Sequence, residues 1–187
     1  MTVTVVGIGG SIRPDSQSER ALRVALSGAR ELGARTIQYS GPDLVLPFYD
    51  PSVPDRTDVA MKMVEDLRGA DGVIVVSPGY HGTVSGLVKN ALDYIEDLRD
   101  DERPYLDGRA IGTITAAYGW QAAVNTLAAV RSIVHALRGW PTPLGAAINS
   151  AQVKFDGDGG CSDSDVDRNL RTIGRQVVEF AQSQGSR

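Results

Sequence analysis

Short, almost wholly apolar runs alternate with longer stretches of helical period along this 187-residue chain, and that alternation restricts the fold more than any other feature. Val3–Ile8, Thr36–Tyr39, Gly72–Ser77 ("GVIVVS"), Ala110–Ala116 and Leu144–Ile148 read as strands. Gln17–Gly33, Thr57 or Asp58 to Leu67, Ser85–Leu98, Gln121–Leu137 and Asp165–Ala181 read as helices. Each helix returns the chain to the same end of the sheet, so the strands are expected to be parallel and covered on both faces. Their unbroken apolar runs fit burial on both sides. No repeat or linker divides the chain, and one domain over 1–187 is expected. Ligands of such sheets sit beyond the carboxyl ends of the strands, where strand order reverses. The loops after the first, third and fourth strands therefore carry the functional reading.

Composition narrows the partners. A net charge of -4 disfavours nucleic acid or an anionic membrane. Cys161 is the single cysteine, which excludes an intramolecular disulfide and a cysteine-rich metal site. No basic segment leads into an apolar stretch at the N-terminus, and no run approaches membrane-spanning length. A cytoplasmic protein is expected.

The first loop reads "GIGGSIRPDSQSERAL", Gly7 to Leu22. A dinucleotide fingerprint needs a third glycine where Ile12 stands and an acidic end to the second strand, which here ends Tyr39-Ser40. The Gly-Lys-Ser/Thr of a nucleotide-triphosphate loop is absent as well. What the loop offers is the hydroxyls of Ser11, Ser16 and Ser18, the Gln17 amide, the Arg13 guanidinium and the N–H groups of a helix start. That set suits one phosphate monoester dianion; read alone, it also suits a capped turn with Ser16 or Ser18 as N-cap.

The other two loops add a flat, partly aromatic seat. Ser77-Pro78-Gly79-Tyr80-His81-Gly82 lets the backbone turn sharply beside a ring, and Ala116-Ala117-Tyr118-Gly119-Trp120 repeats small residues with aromatics. A phosphate at one end and a planar heterocycle at the other describe FMN. Tyr118 and Trp120 could instead pack beneath a helix, and His135, inside an apolar helix, is expected in the core or an interface. Asp156 to Gly160 resembles only a fragment of a calcium loop, and no metal site is expected.

The chain resembles the NADPH-dependent FMN reductase family, through "GSIRPDSQS" (Gly10–Ser18), "SPGYHGTVSGLVKNALDYI" (Ser77–Ile95), "AAYGW" (Ala116–Trp120) and a C-terminal "FDGDGGCSDSDV" followed by a helix. The resemblance implies a flavodoxin-like fold, a doubly wound five-stranded parallel sheet of order 2-1-3-4-5. It implies that Ser11, Arg13, Ser16, Gln17 and Ser18 wrap the FMN phosphate. Pro78, Gly79, Tyr80 and His81 would line the ring and ribityl chain, with Tyr118 and Gly119 at the other edge. Many relatives carry an acidic residue at the place of Gly79, asparagine at that of His81 and Ser/Thr-Gly-Gly at that of Ala117-Tyr118-Gly119. These differences fall around the exposed flavin face.

The activity implied is hydride transfer from NADPH or NADH to FMN, with the flavin carrying the chemistry and the protein positioning it; no side chain stands out as catalytic. Reduced FMN would serve a partner monooxygenase, or stay bound and reduce quinones, azo dyes or metal oxyanions. A flavodoxin-type carrier is the third reading, disfavoured by Arg13, His81 and Lys89 near the site. The stripe Ala122, Val124, Leu127, Val130, Ile133, Val134 and Leu137 leads us to expect a homodimer or homotetramer.

Overall fold

The computed structural model describes residues 2–156 and 160–185. Its elements are β1 (Thr4–Gly9), α1 (Gln17–Glu31), β2 (Arg35–Tyr39), α2 (Asp58–Arg68), β3 (Gly72–Tyr80), β4 (Thr83–Val84), α3 (Gly86–Asp93), β5 (Ala110–Ala117), α4 (Trp120–Ala136), β6 (Trp140–Pro141), β7 (Ala146–Asn149) and α5 (Ser164–Gly185). The strands lie in the order β2-β1-β3-β5, and β6 and β7 share the far edge of β5. All pair in parallel except β4, which folds back on β3. The sheet has seven strands where five were expected: with the antiparallel β4 left out and β6 and β7 counted as one broken strand, the parallel strands follow the expected order 2-1-3-4-5. The candidate calcium fragment cannot be followed, because residues 157–159 lie outside the described residues.

The breaks have local causes. The expected fifth strand, Leu144–Ile148, begins instead at Trp140 and is interrupted. Between the pairs Ile111↔Pro141 and Ile114↔Ala146, Gly112 and Thr113 face the longer stretch Thr142 to Gly145. Pro141 and Pro143 have no N–H for the ladder, and the Thr142 hydroxyl turns back to the Leu144 carbonyl at 2.7 Å. The third strand was expected to end at Ser77, yet it runs on to Tyr80. The chain then reverses at His81 (φ 51°) and Gly82 (φ 86°). Ser77 Oγ accepts the Ser85 N–H at 3.0 Å and ties the base of this hairpin. The helix expected over Ser85–Leu98 is α-helical only to Asp93, then tightens into a 3₁₀ turn over Tyr94–Leu98.

Alternate side chains of each central strand enter opposite cores. Val6, Val73, Val75 and Ile111 meet Met63, Leu67, Val88 and Val130 from α2, α3 and α4. Val5, Ile74, Val76 and Ile114 meet Leu22, Leu26, Leu170 and Val177 from α1 and α5. The stripe on α4 is largely this core face: Val130 and Val134 are buried, Leu127, Ile133 and Leu137 half-buried, and Val124 exposed. His135, expected in the core or an interface, is exposed on this chain. At the amino ends of the strands the Arg109 guanidinium is buried and donates to the carbonyls of Arg68 (2.8 Å), Ala70 (2.9 Å) and Tyr105 (3.1 Å). Burial pushes its pKa down to about 10, and it stays charged at neutral pH.

Helices α1 and α5 cross with their backbones almost touching. A Cβ on Gly174 would stand 2.0 Å from the Ala25 carbonyl oxygen, and one on Gly28 would stand 2.3 Å from that of Arg171. Gly174→Ala should therefore destabilise by about 1–3 kcal/mol, the usual scale of overpacking, despite alanine's better helix propensity. Gly86→Ala, with nothing within 4 Å of the new Cβ, should be neutral or stabilising. Urea denaturation of both variants measures this, and equal midpoints would contradict the crossing geometry.

Candidate functional site

The first loop owes its path to two glycines. As β1 ends, a Cβ on Gly9 (φ 154°) would lie 2.1 Å from the Val76 carbonyl oxygen, so only glycine lets the chain cross so close to β3. Gly10 (φ 108°) then donates its N–H to the same Val76 carbonyl at 3.3 Å. The pair sets a close approach between strands.

The turn delivers the chain to the start of α1. Ser16 is the N-cap, its Oγ accepting the Glu19 N–H at 3.2 Å, and it lies 3.2 Å from Ser18 Oγ. With the Glu19 N–H taken by the cap and that of Arg20 by the Ser16 carbonyl, the first-turn N–H groups of Gln17 and Ser18 remain for a ligand. Both serines are buried beneath the loop.

Charge in the loop is sorted. The Asp15 carboxylate pairs with Arg23, and that bond holds it below the ordinary carboxylate range. Glu19 accepts the Asp15 N–H at 3.1 Å and also lies near Arg23. Arg13 is exposed and has no ion pair among the described residues. The loop thus presents one uncommitted cation while its own acids are occupied.

These groups converge on a cavity of about 280 Å³. Ser11, Arg13, Ser16, Gln17 and Ser18 form one end. Pro78, Gly79 and Tyr80 line a second wall, and Ala116, Ala117 and Tyr118 a third. Among the described residues, no carboxylate lines it. Of the residues expected here, His81 sits exposed at the hairpin tip, and Gly119 is the backbone N-cap of α4; neither lines the cavity. Tyr118 and Trp120 do not pack beneath a helix: they are 84% and 52% exposed, Tyr118 on the cavity lining. Gly79 serves packing, since a Cβ there would stand 2.6 Å from Thr126 Oγ1. Thr126 in turn donates to the Thr83 carbonyl at 3.2 Å, so α4 fixes the hairpin that carries Tyr80.

Ser150 and Phe155 were not legible in advance. Ser150 lines the cavity from the end of β7. The Gln17 side-chain amide is engaged with the Phe155 main chain, donating to its carbonyl at 3.2 Å and accepting its N–H at 2.8 Å. Arg20 donates to the same carbonyl at 2.6 Å. Gln17 therefore anchors the helix start and offers a ligand its main-chain N–H. The only sequence signal for this contact was the C-terminal segment of the resemblance, which says nothing of pairing across the chain.

The donor set fits FMN. First-turn N–H groups, hydroxyls and a free guanidinium suit a monoester dianion, and small residues beside tyrosines leave room for a ring. Among the described residues, no cluster of His, Cys, Asp and Glu could hold a metal ion, and no helix is long and apolar enough to cross a membrane.

Comparison with known proteins agrees with this geometry. The chain is 28% identical over 132 residues to an FMN-dependent NADPH-azoreductase of Staphylococcus aureus, covering 70% of this chain and 66% of that protein. It is 31% identical over 83 residues to an NADPH azoreductase of Bacillus sp. (strain OY1-2), 44% of this chain and 43% of that one. The match thus spans less than two thirds of the length of either relative. In fold it is similar to FerB, a flavoenzyme NAD(P)H:(acceptor) oxidoreductase from Paracoccus denitrificans, with TM-score 0.78, 19% identity and 97% and 98% of the two chains covered. Residues 3–153 match the family described as NADPH-dependent FMN reductase, and the chain belongs to that family.

Proposed function

We propose that the protein is an NAD(P)H-dependent reductase working through FMN held in the cavity between β1, β3 and β5. The observation that carries this reading is the capped start of α1, with two free N–H groups and an unpaired arginine facing a cavity without carboxylates. Bound there, FMN supplies a ring that accepts a hydride from a nicotinamide and passes reducing equivalents on. The chain's own contribution is to bind and orient. Ser11, Arg13, Ser16 and Ser18, with the Gln17 N–H, hold the phosphate. Pro78, Gly79, Tyr80 and Tyr118 bound the ring. The absence of carboxylates from the lining favours added negative charge, as reduction requires.

The names of the two azoreductases support an azo compound as acceptor, and that of the Staphylococcus aureus protein supports its reduction through FMN. Release of reduced flavin to a separate monooxygenase is the second outcome, and FMN dissociation measured in both redox states separates them. The exposed side chains of Tyr118, on the cavity lining, and of Trp120, close after it in the chain, support a site completed by a second copy of the chain, and we read the protein as a homodimer or a homotetramer.

Arg13→Ala should weaken FMN binding by about 1.5–3 kcal/mol, the scale of a hydrogen bond to a charged group. Its thermal midpoint without FMN should be unchanged, because Arg13 is exposed. Fluorescence titration checks the first and calorimetry the second; unaltered FMN affinity would remove Arg13 from the site. Riboflavin, lacking the phosphate, should bind at least about tenfold more weakly than FMN by the same scale. Equal affinities would show that the first loop holds no phosphate.

A further inference from the structure

The anion end of the cavity holds one hydroxyl proton more than the chain can place. Ser16 and Ser18 are both buried, and both line the cavity. Ser16 Oγ accepts the Glu19 N–H, and the two hydroxyl oxygens stand 3.2 Å apart. One hydroxyl proton lies between them, and the other has no acceptor among the described residues. A buried O–H without an acceptor is unfavourable, and an oxygen of a ligand in the cavity would relieve it. The serine pair thus points to an acceptor-rich ligand independently of the helix start.

Charge at this end is incomplete in the same sense. A phosphate monoester carries about -1.5 to -2 at neutral pH, against one guanidinium from Arg13 and about half a unit charge from the dipole of α1. A second cation stands beside the helix start. The chain leaving β7 turns tightly, with the N–H groups of Gln152 (3.0 Å) and Val153 (2.9 Å) on the Asn149 carbonyl. Lys154 comes next, its N–H on Ser162 Oγ at 2.9 Å and its carbonyl accepting the Ser162 N–H at 2.8 Å. The residue after it, Phe155, is the one pinned by the Gln17 amide at the first residue of α1. The Lys154 ammonium reaches back to the carbonyl of Ser150, which lines the cavity. Lys154 is exposed and has no carboxylate partner among the described residues. Arg20, the other cation of this corner, is held on the Phe155 carbonyl and does not line the cavity. The Lys154 backbone is therefore fixed between the cavity wall and the helix start, while its charge meets only a neutral carbonyl.

We infer that Lys154 is the second cation of the FMN phosphate, its ammonium turning from the Ser150 carbonyl to a phosphate oxygen when FMN binds. The exchange replaces a neutral acceptor with an anionic one, and such charge-assisted bonds are roughly twice as strong. The flexible four-carbon stem and three donors of a lysine permit the move without shifting the backbone. This inference rests on the FMN reading above and adds to the phosphate site a residue from the turn after β7, outside the first loop.

Fluorescence titration of the wild type, Lys154→Gln and Lys154→Arg with FMN and with riboflavin tests it, at low and at high ionic strength. We expect Lys154→Gln to weaken FMN binding about fivefold, the upper end for an exposed ion pair, and to leave riboflavin binding unchanged. Lys154→Arg should restore most of the loss. Added salt should narrow the preference for FMN over riboflavin more in the wild type than in Lys154→Gln. A wild-type protein that binds the two flavins equally would overturn the phosphate reading and this inference together. A preference for FMN kept in full by Lys154→Gln would overturn this inference alone. So would equal weakening of both flavins, which would mark Lys154 as a residue that only holds the turn at Ser150.

Discussion

At the carboxyl end of β1, Gly9 passes so close to the Val76 carbonyl that a methyl group could not fit, and the candidate site depends on that approach. It brings the first loop over the end of β3 and starts α1 with its N–H groups facing the cavity. A helix start attracts anions because its first N–H groups lack acceptors and its dipole is positive there. The Ser16 cap satisfies one of these groups and leaves its neighbours. Phe155, held by Gln17 and Arg20, fixes the same helix from the far side of the chain. One close backbone contact and one two-point amide pairing therefore fix the start of α1 at the candidate site.

The charge pattern follows from the same loop. Asp15 and Glu19 would oppose an anion if they faced the cavity, but both are drawn towards Arg23 on the next turn of α1. Arg13 is left as the free cation, and the walls supplied by β3 and β5 add none of the opposite sign. A site of this kind stabilises charge that arrives on a ligand, which suits binding of a phosphate and reduction of a ring. It requires no side-chain nucleophile or general base.

Much of this was legible in the sequence because it is local. The run Gly72–Ser77 is too apolar to be anything but a buried strand, and serine before a helical run, here Ser16 or Ser18, is an N-cap signal. The wall residues Pro78, Gly79, Tyr80 and Tyr118 fall at strand ends, where the topology puts ligands. What escaped was set by contacts distant in sequence. The extension of β3 through Pro78 depends on β5 beside it and on β4 folding back. The break in the edge strand needs the partner register to be visible. Gln17 reads as a ligand until Phe155, far along the chain, takes both ends of its amide. His135 was expected in the core or an interface, and its helix turns it outward, away from the core.

The account stands on the first loop holding a phosphate dianion, and phosphorus-31 NMR of FMN bound to the protein tests that most directly. A free monoester takes up its second proton near about pH 6. With Arg13 and the α1 N–H groups on the dianion, the bound signal should stay displaced and flat as pH falls through that value, its titration moved lower. A bound-FMN signal that titrates as free FMN does, while ring fluorescence reports full binding, would contradict the account.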